Sequence, residues 1–332
     1  MLCQSEQSIL YYSSFVVTEY YNSLRQSRFK SWPAPILHGY TLTVWTFTGG
    51  SDTNSASIMS DSMANNNVTE GTVAFKHPSL PKPCETWYKV VGDLKSSASG
   101  RPLVALHGGP GMAHNYLLNL SGLSTTYNIP VIFYDQVGSG LSTHIAEKRL
   151  DTSFWKPELF IAELDNLVEH LGVASDFDLL GQSWGGMLGS MFAIRGHPGL
   201  KRLIISNSPA SMPLWIESCN AWRRELPREI DDALQRHEDN KTYQDPEYVS
   251  AVEYFYKRHL CRVYPFPKDL TDTIAWVEKD DTVYMTMNGP SEFTVVGSLK
   301  TWSVVDEVHK ISVPTLVLNA EFDEARDRYV NS

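Results

Sequence analysis

The chain has 332 residues, 42% of them hydrophobic and 11% aromatic, enough for one large α/β core or two modest ones. Its formal charge of −10 argues against nucleic acid or an anionic membrane surface as a partner. No stretch reaches the roughly 18 apolar residues that span a bilayer.

The four cysteines, Cys3, Cys84, Cys219 and Cys261, form neither a CxxC pair nor a metal-ligand spacing. The N-terminus carries no basic stretch followed by an apolar one. Together these features predict reduced thiols, a cytoplasmic location and no bound metal.

Residues 1–62 show no clear period, and "GGSDTNSASIMSDSMANNN" has the polar composition of a disordered linker. The first 62 residues are therefore expected to be a disordered or non-family extension. "GTVAFKH" (71–77) and "ETWYKVV" (85–91) alternate like paired strands around a proline-rich turn. "PLVALHG" (102–108) and "PVIFYD" (130–135) read as buried parallel strands, with a helix-like stretch over about 115–123 between them.

"PELFIAELDNLVEHLGV" (157–173) has helical spacing, with Pro157 in the first turn and Gly172 at the end. "FDLLGQ" (177–182) and "LKRLIISNS" (200–208) are strands that flank a helix over 185–196. Such alternation implies a mostly parallel sheet with helices on both faces. After Pro209 the pattern turns helical and charged, as in "IESCNAWRRELPREIDDALQRH" and "YVSAVEYFYKRHL", until the strand "SVPTLVLNAEFD" (312–323). The expected organisation is a core over 63–209, a helical cap over 210–300 and a second core segment over 301–332.

The stretch "GQSWG" (181–185) ends a parallel strand and opens a helix. Gly-x-Ser-x-Gly in that context is a nucleophile turn, with Ser183 raised over the C-terminal edge of the sheet. Alone, the pentapeptide also fits an ordinary glycine-rich turn with an incidental serine. "HGGPG" (107–111) follows an earlier strand, where this fold class supplies one oxyanion donor. The expected donors are the backbone N–H groups of Gly109 and Trp184. His107 reads as a structural residue within its loop, and Asp135 and Gln136 in "YDQVGSG" as loop braces. Asp323 ends the strand after the cap, where an orienting acid belongs, with Glu321 and Glu324 as neighbouring alternatives.

The ordered set "HGGPG", "YDQVGSG", "GQSWGG" and "MNGPSEF" resembles the proline iminopeptidase and L-amino-acid amidase family of α/β-hydrolases, peptidase family S33, over roughly residues 70–325. The resemblance implies an α/β-hydrolase fold and no metal or organic cofactor. It also implies release of an N-terminal residue, proline or another small apolar one, from a short peptide or aminoacyl amide through an acyl-enzyme. Members of the family hold the substrate α-amine with cap carboxylates, and "NGPSEF" carries this role to Glu292. The second such position aligns with Ser250; Glu253, one turn along, is the substitute candidate. The alternatives are an esterase or lactonase of the same fold, or an inactive binding protein. The oligomeric state is left open.

The same resemblance places the catalytic histidine beyond the acid, yet "EARDRYVNS" follows Asp323 without one. His107, His114 and His144 are not expected to face both Ser183 and Asp323. The expectation is a truncated or misassembled gene product lacking the last strand and helix. A naturally shortened inactive member and an enzyme with an unorthodox base are the alternatives. "TLVLN" (315–319) would then form an exposed apolar sheet edge.

Overall fold

The computed structural model describes residues 43–45, 67–96 and 99–326. Its centre is an eight-stranded sheet in the order β1-β8-β7-β6-β4-β5-β3-β2. The strands are β1 (Thr43–Trp45), β2 (Val68–Phe75), β3 (Cys84–Val91), β4 (Leu103–Leu106), β5 (Val131–Tyr134), β6 (Phe177–Gln182), β7 (Leu200–Ser206) and β8 (Thr315–Leu318). β3 runs antiparallel to β2 and β5, and every other pairing is parallel.

β4 and β5 are buried at every position, as continuous apolar strands covered on both faces must be. Alternation divides their side chains between two cores. Val104, Leu106, Ile132 and Tyr134 pack with α2 (Pro157–His170) and α3 (Trp184–Ile194) on one face. Leu103, Ala105, Val131 and Phe133 pack on the other with a 3₁₀ helix, His114–Ser121, and α1 (Gly122–Tyr127). Each fully buried Leu or Phe contributes about 1.5–3 kcal/mol.

The helical stretch expected over 115–123 is this 3₁₀ segment running into α1. α2 starts at Pro157 and buries Leu159, Phe160, Leu164, Leu167 and Val168, together with Glu163.

Five α-helices lie between β7 and β8, in the segment expected to be the cap: α4 (Met212–Arg223), α5 (Arg228–Asn240), α6 (Pro246–His259), α7 (Lys268–Lys279) and α8 (Thr282–Met287). The cap is tied to the rim of the sheet. Arg149 grips Asp281 with two hydrogen bonds, of 2.6 and 2.8 Å. His144 Nδ1 lies 2.6 Å from Asp280 Oδ2. The Leu150 N–H donates to Thr286 Oγ1 at 2.7 Å.

The expected free edge at residues 315–319 is corrected. β1 pairs in parallel with the outer side of β8, matching Thr43 to Leu316 and Trp45 to Leu318. A three-residue strand is too short to announce itself by alternation. The same strand departs from the disorder expected of residues 1–62, the rest of which lie outside the described residues. No helix among the described residues is long and apolar enough to cross a membrane.

Candidate active site

β6 ends at Gln182 and α3 begins at Trp184, leaving Ser183 alone at the turn with φ 53 and ψ −123. A non-glycine residue in this region is strained by an amount of order 1–3 kcal/mol. Backbone bonds hold it there. Its N–H donates to Ser206 O at 3.0 Å, and its carbonyl accepts from Gly186 and Met187 at 2.8 and 3.1 Å.

The flanking glycines are steric necessities. A Cβ on Gly181 would lie 2.1 Å from Gly185 O, and one on Gly185 would lie 2.2 Å from Leu106 O. The strand, the turn and the neighbouring β4 end are packed too closely for any side chain at either position.

The 107–111 loop lies beside this turn. Gly109 has φ +111, and a Cβ there would meet Met112 N at 2.7 Å. His107 is fully buried and braces the loop. Its Nε2 accepts from Gln136 N at 3.0 Å, which leaves the proton on Nδ1 to donate to Gly108 O at 2.9 Å. Burial pushes this imidazole down, keeping it neutral. The Gln136 side chain joins both donor segments. Its Oε1 accepts from Trp184 Nε1 at 2.8 Å, and its Nε2 donates to His107 O at 3.3 Å.

Ser183, Gly109, Trp184 and Glu292 meet at one narrow pocket, walled also by Met187, Pro209, Met212, Trp215, Asn288 and Leu299. A nucleophilic hydroxyl, backbone amides, an apolar wall and a buried carboxyl therefore share one small space. Among the described residues, no histidine lines it. His114 Nδ1 is 2.9 Å from Asp135 Oδ1, and the His144 ring nitrogens face Asp280 and Gly140 O.

Glu292 is buried and accepts a 2.8 Å hydrogen bond from Tyr284 OH, and its backbone carbonyl accepts from Trp215 Nε1 at 2.8 Å. Burial, with the Asp323 charge adding to it, pushes its carboxyl up to about 7. Glu324, also buried, is raised well above the ordinary carboxylate range by burial and then by the charges of Glu292 and Asp323. Among the described residues its Oε1 has no hydrogen-bond partner. Burial thus favours the neutral form of both acids.

Asp323 sits in the loop after β8. Its Oδ2 accepts from Asn207 Nδ2 at 2.7 Å, its Oδ1 from Ala325 N at 2.8 Å, and its carbonyl from Trp222 Nε1 at 2.8 Å. It does not line the cavity, although its charge reaches Glu292. Glu253 is not brought to the site. It lies half exposed on α6, paired with Lys257 at 3.0 Å and not among the cavity residues. Glu324, in contrast, entered the sequence reading only as an alternative to Asp323; adjacency was the available signal, and burial was invisible.

The sequence matches the α/β hydrolase fold family over residues 101–330. It is 38% identical to a proline iminopeptidase of Saccharolobus solfataricus over 238 residues, covering 72% of this chain and 74% of that protein. Among solved structures, a proline iminopeptidase of Mycobacterium smegmatis superposes with a TM-score of 0.70 at 44% identity, covering 78% of this chain and 84% of that one. VinJ superposes with a TM-score of 0.75 at 46% identity, covering 79% and 85%. Likeness at this level over more than two thirds of both chains places the protein in the proline iminopeptidase family of α/β-hydrolases.

Proposed function

We propose that the protein is a serine aminopeptidase that releases an N-terminal proline, or another small apolar residue, from short peptides or aminoacyl amides. Ser183 Oγ attacks the scissile carbonyl, the C–N bond breaks with the hydroxyl proton ending on the departing amine, and water then cleaves the acyl-enzyme to free the amino acid and restore the serine hydroxyl. The N–H groups of Gly109 and Trp184 receive the developing oxyanion, each such donor contributing about 2.7–4 kcal/mol in the transition state. Asp323 is the orienting acid.

The carboxyl pair Glu292 and Glu324 carries this reading. Both are buried, both are raised, and one Glu324 oxygen has no partner among the described residues. A substrate α-ammonium supplies the missing positive charge and its N–H donors. Glu324, like Glu253, does not line the pocket, but it interacts electrostatically with Glu292, which does, whereas Glu253 is paired with Lys257. Met187, Met212, Trp215 and Leu299 give the adjoining side chain an apolar wall. The helical segment 210–300 is the cap, and 63–209 with 301–332 the catalytic core. The described cysteines are free and buried, which supports a reducing, cytoplasmic setting.

The test pairs turnover with binding. Prolyl and alanyl arylamides should be cleaved, whereas their N-acetylated forms should not. Calorimetry should show prolinamide binding and no binding of N-acetylprolinamide. Hydrolysis of simple esters without cleavage or binding of aminoacyl amides would overturn the proposal.

A further inference from the structure

The Tyr116 hydroxyl stands between the two loops that carry the reacting groups. It donates to Gln182 Oε1 at 2.6 Å and accepts from the Gly108 N–H at 2.7 Å. Gln182 immediately precedes Ser183, and Gly108 immediately precedes Gly109. The two segments touch here, since a Cβ on Gly108 would lie 3.1 Å from both Ser183 Cβ and the Tyr116 oxygen.

A loop reading Gly-Gly-Pro-Gly has no long side chains with which to fix itself, so groups outside it set its position. His107 holds the carbonyl side of Gly108. Tyr116 holds the amide side and also reaches the nucleophile strand. Burial, with the Glu292 charge adding to it, keeps the phenol protonated and therefore able to donate.

The segment that carries Tyr116 is held in turn from the cap. Thr273 on α7 is wholly buried. Its hydroxyl donates to Ala113 O at 3.3 Å and accepts from Tyr116 N at 3.4 Å. Both contacts bracket the start of the 3₁₀ helix, so a shift of α7 is passed to the tyrosine ring.

We propose that Tyr116 is a positioning residue that sets the spacing between the Gly109 amide and Ser183, and that Thr273 makes this spacing depend on cap placement. The proposal rests on the reading of Ser183 and the 107–111 loop as the hydrolytic centre. Neither side chain is assigned a contact with the reacting atoms.

Tyr116→Phe, Gln182→Met and Thr273→Val test it in the full chain, with two readouts. In prolyl arylamide hydrolysis, Tyr116→Phe and Gln182→Met should lower kcat by about 10- to 100-fold while KM stays within about twofold. Thr273→Val should lower kcat less, in the same sense. In amide hydrogen exchange, residues 107–111 should exchange faster in Tyr116→Phe, with β4 and β5 protected as in the parent. An unchanged kcat, a loss confined to KM, or unchanged exchange at 107–111 overturns the proposal. Absence of turnover in the parent would count against the aminopeptidase reading alone, and the exchange comparison would then decide on Tyr116.

Discussion

Asn207 Nδ2 donates a 2.7 Å hydrogen bond to Asp323 Oδ2, joining the loop after β7 to the loop after β8. Asn207 does so from a left-handed backbone, φ 49, which asparagine tolerates better than most residues. Two costs can therefore be separated. Asn207→Gly keeps the backbone and removes the bond to the carboxylate, and should destabilise by about 1.5–3 kcal/mol. Asn207→Ala adds the left-handed penalty of about 1–2 kcal/mol. Urea unfolding midpoints of the two variants check the order, and both should lower kcat/KM if Asp323 orients the reaction.

Ser183 stores backbone strain at the turn where the proposed reaction needs its hydroxyl. Ser183→Gly should abolish prolyl arylamide cleavage and stabilise the fold by about 1 kcal/mol. Ser183→Ala should abolish cleavage without that gain, because alanine keeps the Cβ. Thermal unfolding of the three proteins, measured together, gives the comparison.

If the Glu292–Glu324 pair holds the substrate amine as proposed, substrate capture depends on pH. Both acids are raised by burial, Glu292 to about 7, so at low pH they are neutral and cannot attract an ammonium ion. kcat/KM for prolyl arylamide should rise as pH increases through about 7. It should fall again above about 8, where a free α-amine loses its proton. Glu292→Gln and Glu324→Gln should each raise KM by about 10- to 100-fold, the loss expected for a buried charge-assisted contact.

Glu163 governs stability from within the core. It accepts from Thr86 Oγ1 at 2.5 Å and from the Val137 N–H at 2.9 and 3.0 Å. Burial nevertheless raises its carboxyl from 4.5 to about 8. The folded state therefore prefers the neutral acid. Its contribution is complete below the unfolded value and is lost as pH rises through about 8, by an amount on the order of a few kcal/mol. Glu163→Gln should flatten this dependence. Unfolding midpoints at pH 5, 7 and 9 in both proteins isolate the effect from that of Glu292 and Glu324, which has the same sign.

The parts legible in the sequence were those set by local sterics or unbroken burial. β4 and β5 show as continuous apolar runs, and Gly181 is dictated by Gly185 four residues on, whereas Gly185 is closed by Leu106 at the end of another strand. The carboxylates show the limit. Glu163 falls in a helix whose apolar spacing gives no sign that it turns inward. On α6 the inward face is Tyr248, Ala251, Phe255 and His259, which leaves Glu253 on the other side, beside Lys257. Glu324 gains its character from packing between the cap and β8, contacts that no local pattern encodes. Tyr116 was obscure for the same reason, because its partners come from two other strand ends and from α7.

The crowding at the nucleophile turn also limits how this lineage can vary. With 181 and 185 closed to any side chain and 183 the proposed nucleophile, the turn can diversify only at 182 and 184. Gln182 answers to Tyr116 and Trp184 to Gln136, so a change at either position calls for a matching change in a distant loop. Divergence at this centre should therefore proceed by paired replacements, 182 with 116 and 184 with 136.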